Sequence, residues 1–259
     1  FFHNIDQYLN SPFSTKVIKC PGPFNYSLIN NISTKEAIGN VILFLNNDVE
    51  FITDNWGYEL SSNALRPDIG FVGAKLLFSD KSIQHAGVIL GIGGVAGHSQ
   101  KYLKENEKGY EDRESISQEY SALTGACLAV SKNNWDQLGG FDQKSLKINY
   151  NDIDICLRAR EMGLRNIYLP HVLAYHHESK TRGKPEGKNY YTWKYEYNKM
   201  KKYWGDILLA DPYYSPNLTL KEENFSIGFR EIDKFEARSN NHQNIYRTKI
   251  KSNIIKDII

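Results

Sequence analysis

The chain has 259 residues, 41% hydrophobic and 13% aromatic, with 32 Lys+Arg against 30 Asp+Glu and a formal charge of +2. This composition supports a sizeable core and excludes wholesale disorder. The near-neutral charge excludes a dedicated nucleic-acid binder, which would carry a strongly basic face.

No apolar run approaches the ~18 residues of a membrane span, and the longest, residues 41–45, is strand-sized. The start, Phe1-Phe2-His3-Asn4, is neither a signal nor a transit peptide and has no initiator Met, so the true N-terminus is expected upstream. Cys20, Cys127 and Cys156, an odd number without CxxC spacing, read as reduced thiols of a cytoplasmic protein.

In chain order, residues 26–38 predict a helix stopped by Gly39. Residues 41–45, Val-Ile-Leu-Phe-Leu, predict a strand buried on both faces, with neighbours on both sides. A helix at 55–65 ends at Pro67, and a strand follows at 69–74. This alternation points to an α/β architecture with a parallel or mixed sheet. From Phe78 to Gln118 short strands and loops are expected, then a strand at 123–130 and a helix at 133–138 ended by Gly139-Gly140. A helix starts at Asn151-Asp152 and stops before Gly163; an extended segment covers 167–176, and an aromatic, Lys-rich helix covers 188–204. A boundary falls near Gly205, dividing a domain at 1–205 from an extension at 206–259.

Three sites carry chemistry. Asn46-Asn47-Asp48 closes the most apolar strand, and in open α/β sheets ligands bind outside the carboxyl ends of strands. Its oxygens suit a hard cation, Mg²⁺ or Mn²⁺, although the same residues also make an ordinary turn. Asp152 opens a helix, where a partly desolvated carboxylate is placed to take a proton from a hydroxyl; capping is the plainer alternative. Asp154 is placed to pair with Arg158 at i,i+4. Tyr175-His176-His177-Glu178-Ser179 ends a strand, so only one of its histidines faces a given site, as ligand or as structural residue.

Read together, these segments resemble family 2 glycosyltransferases of the GT-A fold. The match runs through Phe24-Asn25-Tyr26-Ser27 with Asn30-Asn31, then Leu43-Phe44-Leu45-Asn46-Asn47-Asp48 and Arg66-Pro67-Asp68-Ile69-Gly70. It continues through Gln84-His85-Ala86-Gly87, Gly139-Gly140-Phe141-Asp142, Asn151-Asp152-Ile153-Asp154 and Asp211-Pro212-Tyr213-Tyr214. The similarity spans about residues 20–226 and is nearest to bacterial members building O-antigen and related polysaccharides, rhamnosyltransferases among them.

The resemblance implies a mixed sheet flanked by helices and a metal-dependent, inverting transfer from a nucleotide-sugar donor to a glycan or lipid-linked acceptor. It makes Asp48 and His176 metal ligands for Mn²⁺ or Mg²⁺, Asn46 and Asn47 donor contacts, and Asp152 the general base, with Asn151 where the family has Glu. His85 and Asp154 fall on the acceptor side, and His177 faces away. It also places the family's first strands before Phe1, so that a further segment, domain or subunit supplies the base and ribose contacts.

Gly91-Ile92-Gly93-Gly94-Val95-Ala96 imitates a dinucleotide fingerprint, but the polar residues after it predict a flexible loop or lid. The sequons at Asn217 and Asn224 carry no meaning without a secretory signal. Trp193, Tyr197, Met200 and Trp204 form one helical stripe, to be packed on the domain or laid on an anionic membrane. Two other functions fit the sequence: a non-catalytic remnant binding a glycan or partner, and a nucleotidyltransferase.

Overall fold

The structure is a computed structural model and describes residues 15–104, 107–177 and 187–228. Its strands are β1 (Val41–Leu45), β2 (Val49–Phe51), β3 (Ile69–Leu77), β4 (Ile83–His85), β5 (Val88–Leu90), β6 (Ala96–His98), β7 (Gln118–Tyr120), β8 (Cys127–Ser131) and β9 (Arg165–His176). Its α-helices are α1 (Tyr26–Ser33), α2 (Trp56–Ala64), α3 (Lys132–Leu138), α4 (Asn151–Glu161) and α5 (Gly187–Trp204). Seven strands form one sheet with the path β1-β8-β3-β9-β2, β4 adding to β3 and β7 to β9; β5 and β6 pair separately. Only β3 and β9 run parallel, so the sheet is mixed, as expected.

Strand β3 is central and buried at every position except Lys75. Its alternating side chains feed two cores: Phe71 packs on the face covered by α4, and Val72 on the face covered by α2. Pairing with β9 skips from Ala74↔Leu169 to Lys75↔Leu173, so Pro170, which has no N–H to give, sits in the irregularity.

The ends of several elements differ from expectation. Helix α1 stops at Ser33 and continues only as a 3₁₀ turn at Thr34–Glu36, leaving Ile38 99% exposed. Residues 123–126 lie before β8 rather than within it.

Strand β1 is not buried on both faces. Ile42 and Phe44 are buried, Phe44 against Trp135 and Phe141 at centroid distances of 4.8 and 5.0 Å, but Leu45 is exposed. Among the described residues β1 pairs with β8 alone, so its outer edge is open there. The other face is only half-covered, with Val41 and Leu43 packed against the second core.

The glycine-rich segment is a packed hairpin turn, not a loose loop. Gly91, Gly93 and Gly94 all take positive φ, and the Gly94 N–H closes on Gly91 O at 2.9 Å. Ile92 and Val95 are buried beneath the turn, which joins β5 to β6.

The stripe of α5 faces inward. Met200 is fully buried, Tyr197 and Trp204 pack on the main core, and Trp193 Nε1 donates to Tyr150 Oη at 2.9 Å. That stripe is therefore covered by its own domain and offers no face to a membrane. Among the described residues no helix is long and apolar enough to cross one. Nor does the chain leave the domain at Gly205. Asp211 is buried and accepts from the Leu90 N–H at 2.8 Å and the Ser121 hydroxyl at 2.7 Å.

Candidate active site

A cavity of about 300 Å³ opens where the carboxyl ends of β1 and β9 meet the start of α4. Asn46, Gln84, His85, His98, Asp152 and His176 are among the residues lining it. Register brings the first group together. Strand β1 delivers Asn46, whose N–H bonds Ala126 O at 2.9 Å. A tight turn, Val49 N–H to Asn46 O at 3.3 Å, reverses the chain into β2, and Val49 pairs with His176. The turn thus sets Asp48 beside the last residue of β9.

His176 is 7% exposed. Its Nδ1 lies 2.6 Å from Gln84 Oε1, and an amide oxygen only accepts, so the ring proton sits on Nδ1. Nε2 then bears a lone pair, facing the Asn46 amide nitrogen at 3.1 Å and Asp48 Oδ1 at 3.2 Å. Asp48 Oδ1 is buried without a hydrogen-bond partner among the described residues. Two electron-rich atoms facing each other this closely suit a shared cation, and carboxylate oxygen with neutral imidazole is an acceptable donor set for Mn²⁺. The two residues therefore fit the metal that the resemblance implies. Among the described residues no cluster of three or more His, Cys, Asp or Glu is arranged to hold an ion. His177 turns away, to Ser79 Oγ at 3.2 Å and Glu50 Oε2 at 2.9 Å.

Asp152 projects from the first turn of α4. Its Oδ2 accepts from the Gly125 N–H at 2.8 Å and its Oδ1 from the Ile153 N–H at 2.9 Å. Burial pushes the carboxyl above its ordinary range, against those two N–H groups, which pull it down. Tyr26 Oη donates to Gly125 O at 3.0 Å and so pins the backbone that holds the acid. A Cβ on Gly125 would lie 3.3 Å from Asp152 Cβ, tighter than most such contacts, so glycine lets the strand approach the carboxylate.

The other expected residues divide. His85 lines the cavity and is fully buried. Asn47 is exposed on the turn and does not line it. Asp154 is not on the acceptor side. It accepts from Arg158 Nε at 2.9 Å and Trp204 Nε1 at 2.9 Å, while Arg158 also donates to Leu138 O and Gly140 O, both at 2.7 Å. Two residues on, about 200° around the helix from Asp152, it ties α4 to α5 and to the Gly139-Gly140 turn.

Glu196 on α5 escaped the sequence reading. It is 1% exposed and accepts the N–H groups of Lys147, Ile148 and Asn149 at 2.7, 3.0 and 2.9 Å, shaping the loop before α4. The available signal was an acid between Trp193 and Met200, on the inward stripe.

The fold belongs to a known class. The structure matches the crystal structure of GalNAc-T7 with UDP, GalNAc and Mn²⁺ at a TM-score of 0.61, with 12% identity, covering 98% of this chain and 48% of that one. The chain therefore has the GT-A-type fold of that transferase. In sequence it is 40% identical over 213 residues to the uncharacterized protein y4gI of Sinorhizobium fredii, covering 81% of this chain. It is also 37% identical over 202 residues to the O-antigen biosynthesis protein RfbC of Myxococcus xanthus, covering 76% of this chain. It spans only 23% and 15% of those two proteins' lengths. No family model matches the chain.

Proposed function

We propose that this chain is the acceptor- and metal-side part of a metal-dependent glycosyltransferase of family 2. In this reading it moves a sugar from a nucleotide-sugar donor to a hydroxyl of a glycan or lipid-linked acceptor, with inversion, during cytoplasmic assembly of a bacterial surface polysaccharide. The observation that carries the reading is His176 Nε2 lying 3.2 Å from the buried Asp48 Oδ1, which has no hydrogen-bond partner among the described residues, with His176 and Asp152 lining one cavity. The sequence similarity to an O-antigen biosynthesis protein supports the same biological setting.

Asp48 and His176 would hold the divalent metal, Mn²⁺ or Mg²⁺, which screens charge on a departing diphosphate. Asp152 receives the proton of the acceptor hydroxyl as that oxygen attacks the anomeric carbon. Its two backbone bonds aim the carboxylate, and burial keeps it basic enough for the task. Attack from the face opposite the leaving group inverts the carbon in one displacement, and no covalent enzyme nucleophile enters. Asn46 holds Nε2 of His176 in place and borders the donor side.

Calorimetry with UDP and Mn²⁺ tests the reading on the full chain. The wild type should bind the pair more tightly than UDP alone, and Asp48→Ala should abolish the difference. Metal-independent binding unchanged by that substitution would overturn it.

A further inference from the structure

Two histidines of the cavity wall are left without a role in the chemistry above. His85 ends β4 and His98 ends β6, and their Nδ1 atoms lie 2.9 Å apart with the rings edge to face. The fold builds this meeting. Gly87, at φ +100, turns the chain into β5, Val88 pairs with His98 across the hairpin, and the Ser99 N–H bonds Gly87 O at 2.9 Å. A Cβ on Gly87 would lie 2.3 Å from the Tyr120 ring, so only glycine makes this turn.

An Nδ1–Nδ1 hydrogen bond holds one proton. The ring that donates it keeps a bare Nε2, and the ring that accepts it carries its own proton on Nε2. The neutral pair therefore presents one donor and one acceptor at its outer nitrogens, whichever ring donates. His85 Nε2 is buried and has no hydrogen-bond partner among the described residues, which leaves a hydrogen-bonding atom for a ligand to satisfy.

We propose that the His85–His98 pair reads a hydroxyl of an uncharged sugar and discriminates against acidic sugars at that position, a specificity that rests on the transferase reading above. A hydroxyl both donates and accepts, and so suits a pair with one donor and one acceptor. A carboxylate only accepts. Giving it a second donor requires an extra proton on the pair. Burial opposes that proton first of all, and Lys101 beside His98 adds to it: His98 is held down to about 4 and His85 well below its ordinary value. Glu223 is engaged by the main-chain N–H of His98 at 2.8 Å. No Lys or Arg is found among the described residues lining the cavity; Asn46, Gln84, Thr124 and Asn149 are uncharged, and Asp152 is the one carboxylate among those residues, itself unfavourable to an acidic sugar.

Long-range ¹H–¹⁵N NMR of the histidine-labelled full chain at neutral pH reads the tautomers directly. One ring protonated on Nδ1 and its partner on Nε2 is the expected result; two Nε2-protonated rings, or an imidazolium, overturns the proposal. Saturation-transfer NMR then compares the methyl glycoside of a neutral hexose with that of its uronic acid. The neutral sugar should bind roughly tenfold more tightly or better, and His98→Asn should weaken it without improving the uronate. Equal or tighter uronate binding, or binding of neither sugar, overturns the proposal. Neither assay involves Asp48 or UDP, so this proposal and the transferase reading fail separately.

Discussion

Asn46 and His176, 130 positions apart in sequence, meet with Nδ2 3.1 Å from Nε2 at the carboxyl ends of β1 and β9. The Asn46 amide donates to the imidazole from one side while Gln84 Oε1 takes the Nδ1 proton on the other, which sets Nε2 3.2 Å from Asp48 Oδ1. Local geometry at this corner of the sheet decides whether Asp48 and His176 act as a pair.

Gln84→Ala should therefore weaken Mn²⁺ binding although Gln84 is no ligand. Loss of an outer partner that fixes an imidazole ligand typically costs about 10- to 100-fold in affinity. Titration followed by electron paramagnetic resonance measures it. Affinity within about twofold of wild type would show that the Gln84 contact does not orient the ring.

Asp152→Asn should leave metal and UDP binding near normal and cut transfer by about 10²-fold or more, measured as product formed by the full-length protein. In the wild type the carboxyl must be ionised to accept a proton, so transfer should rise with pH through a value above the ordinary carboxylate range. The variant should lose that acid limb. Stability runs the other way. A carboxyl raised by desolvation contributes most when protonated, below its unfolded value of about 4. That contribution is lost as pH rises through the folded value. Thermal melts across this range check the sign.

Glu196→Ala should destabilise the fold by about 3 kcal/mol or more, since it strands three main-chain N–H groups and the Asn149 amide that now bond one buried carboxylate. Urea unfolding measures the loss. Glu196→Gln, which keeps an oxygen acceptor, should lose less. A change under about 0.5 kcal/mol for the alanine variant would place Glu196 outside the fold's supports.

Asp154→Ala should cost stability rather than chemistry. It leaves Arg158 without its carboxylate partner and Trp204 Nε1 without its acceptor, a loss of about 3 kcal/mol for a largely buried pair. UDP and Mn²⁺ binding by the folded fraction should stay at the wild-type value. Weakened binding without a lowered melting temperature would return Asp154 to the site.

The positions of Asp48, Asp152 and His176 were legible because each stands where a strand ends or a helix begins, and the resemblance to a known family joined them into one candidate set. The helices at 151–161 and 187–204 were equally plain, since hydrophobic spacing and a glycine stop act over a few residues. Sequence by itself determined these local features, including the aromatic stripe of α5, though not which way that stripe faces.

Only the tertiary structure decided what those residues touch. Asp152 and Asp154 lie two apart on one helix, yet one meets the Gly125 backbone at the cavity and the other meets Arg158 and Trp204. Spacing offered Asp154 its partner Arg158, but it showed neither that Trp204 joins that pair nor that Gly125 meets Asp152. The same holds for Glu196, whose three N–H donors lie 47–49 positions away, and for β1, whose apolar run does not reveal that β8 is its one neighbour among the described residues. Long-range partners are chosen by strand order and register, which depend on how all the apolar faces close together, and no local pattern encodes that choice.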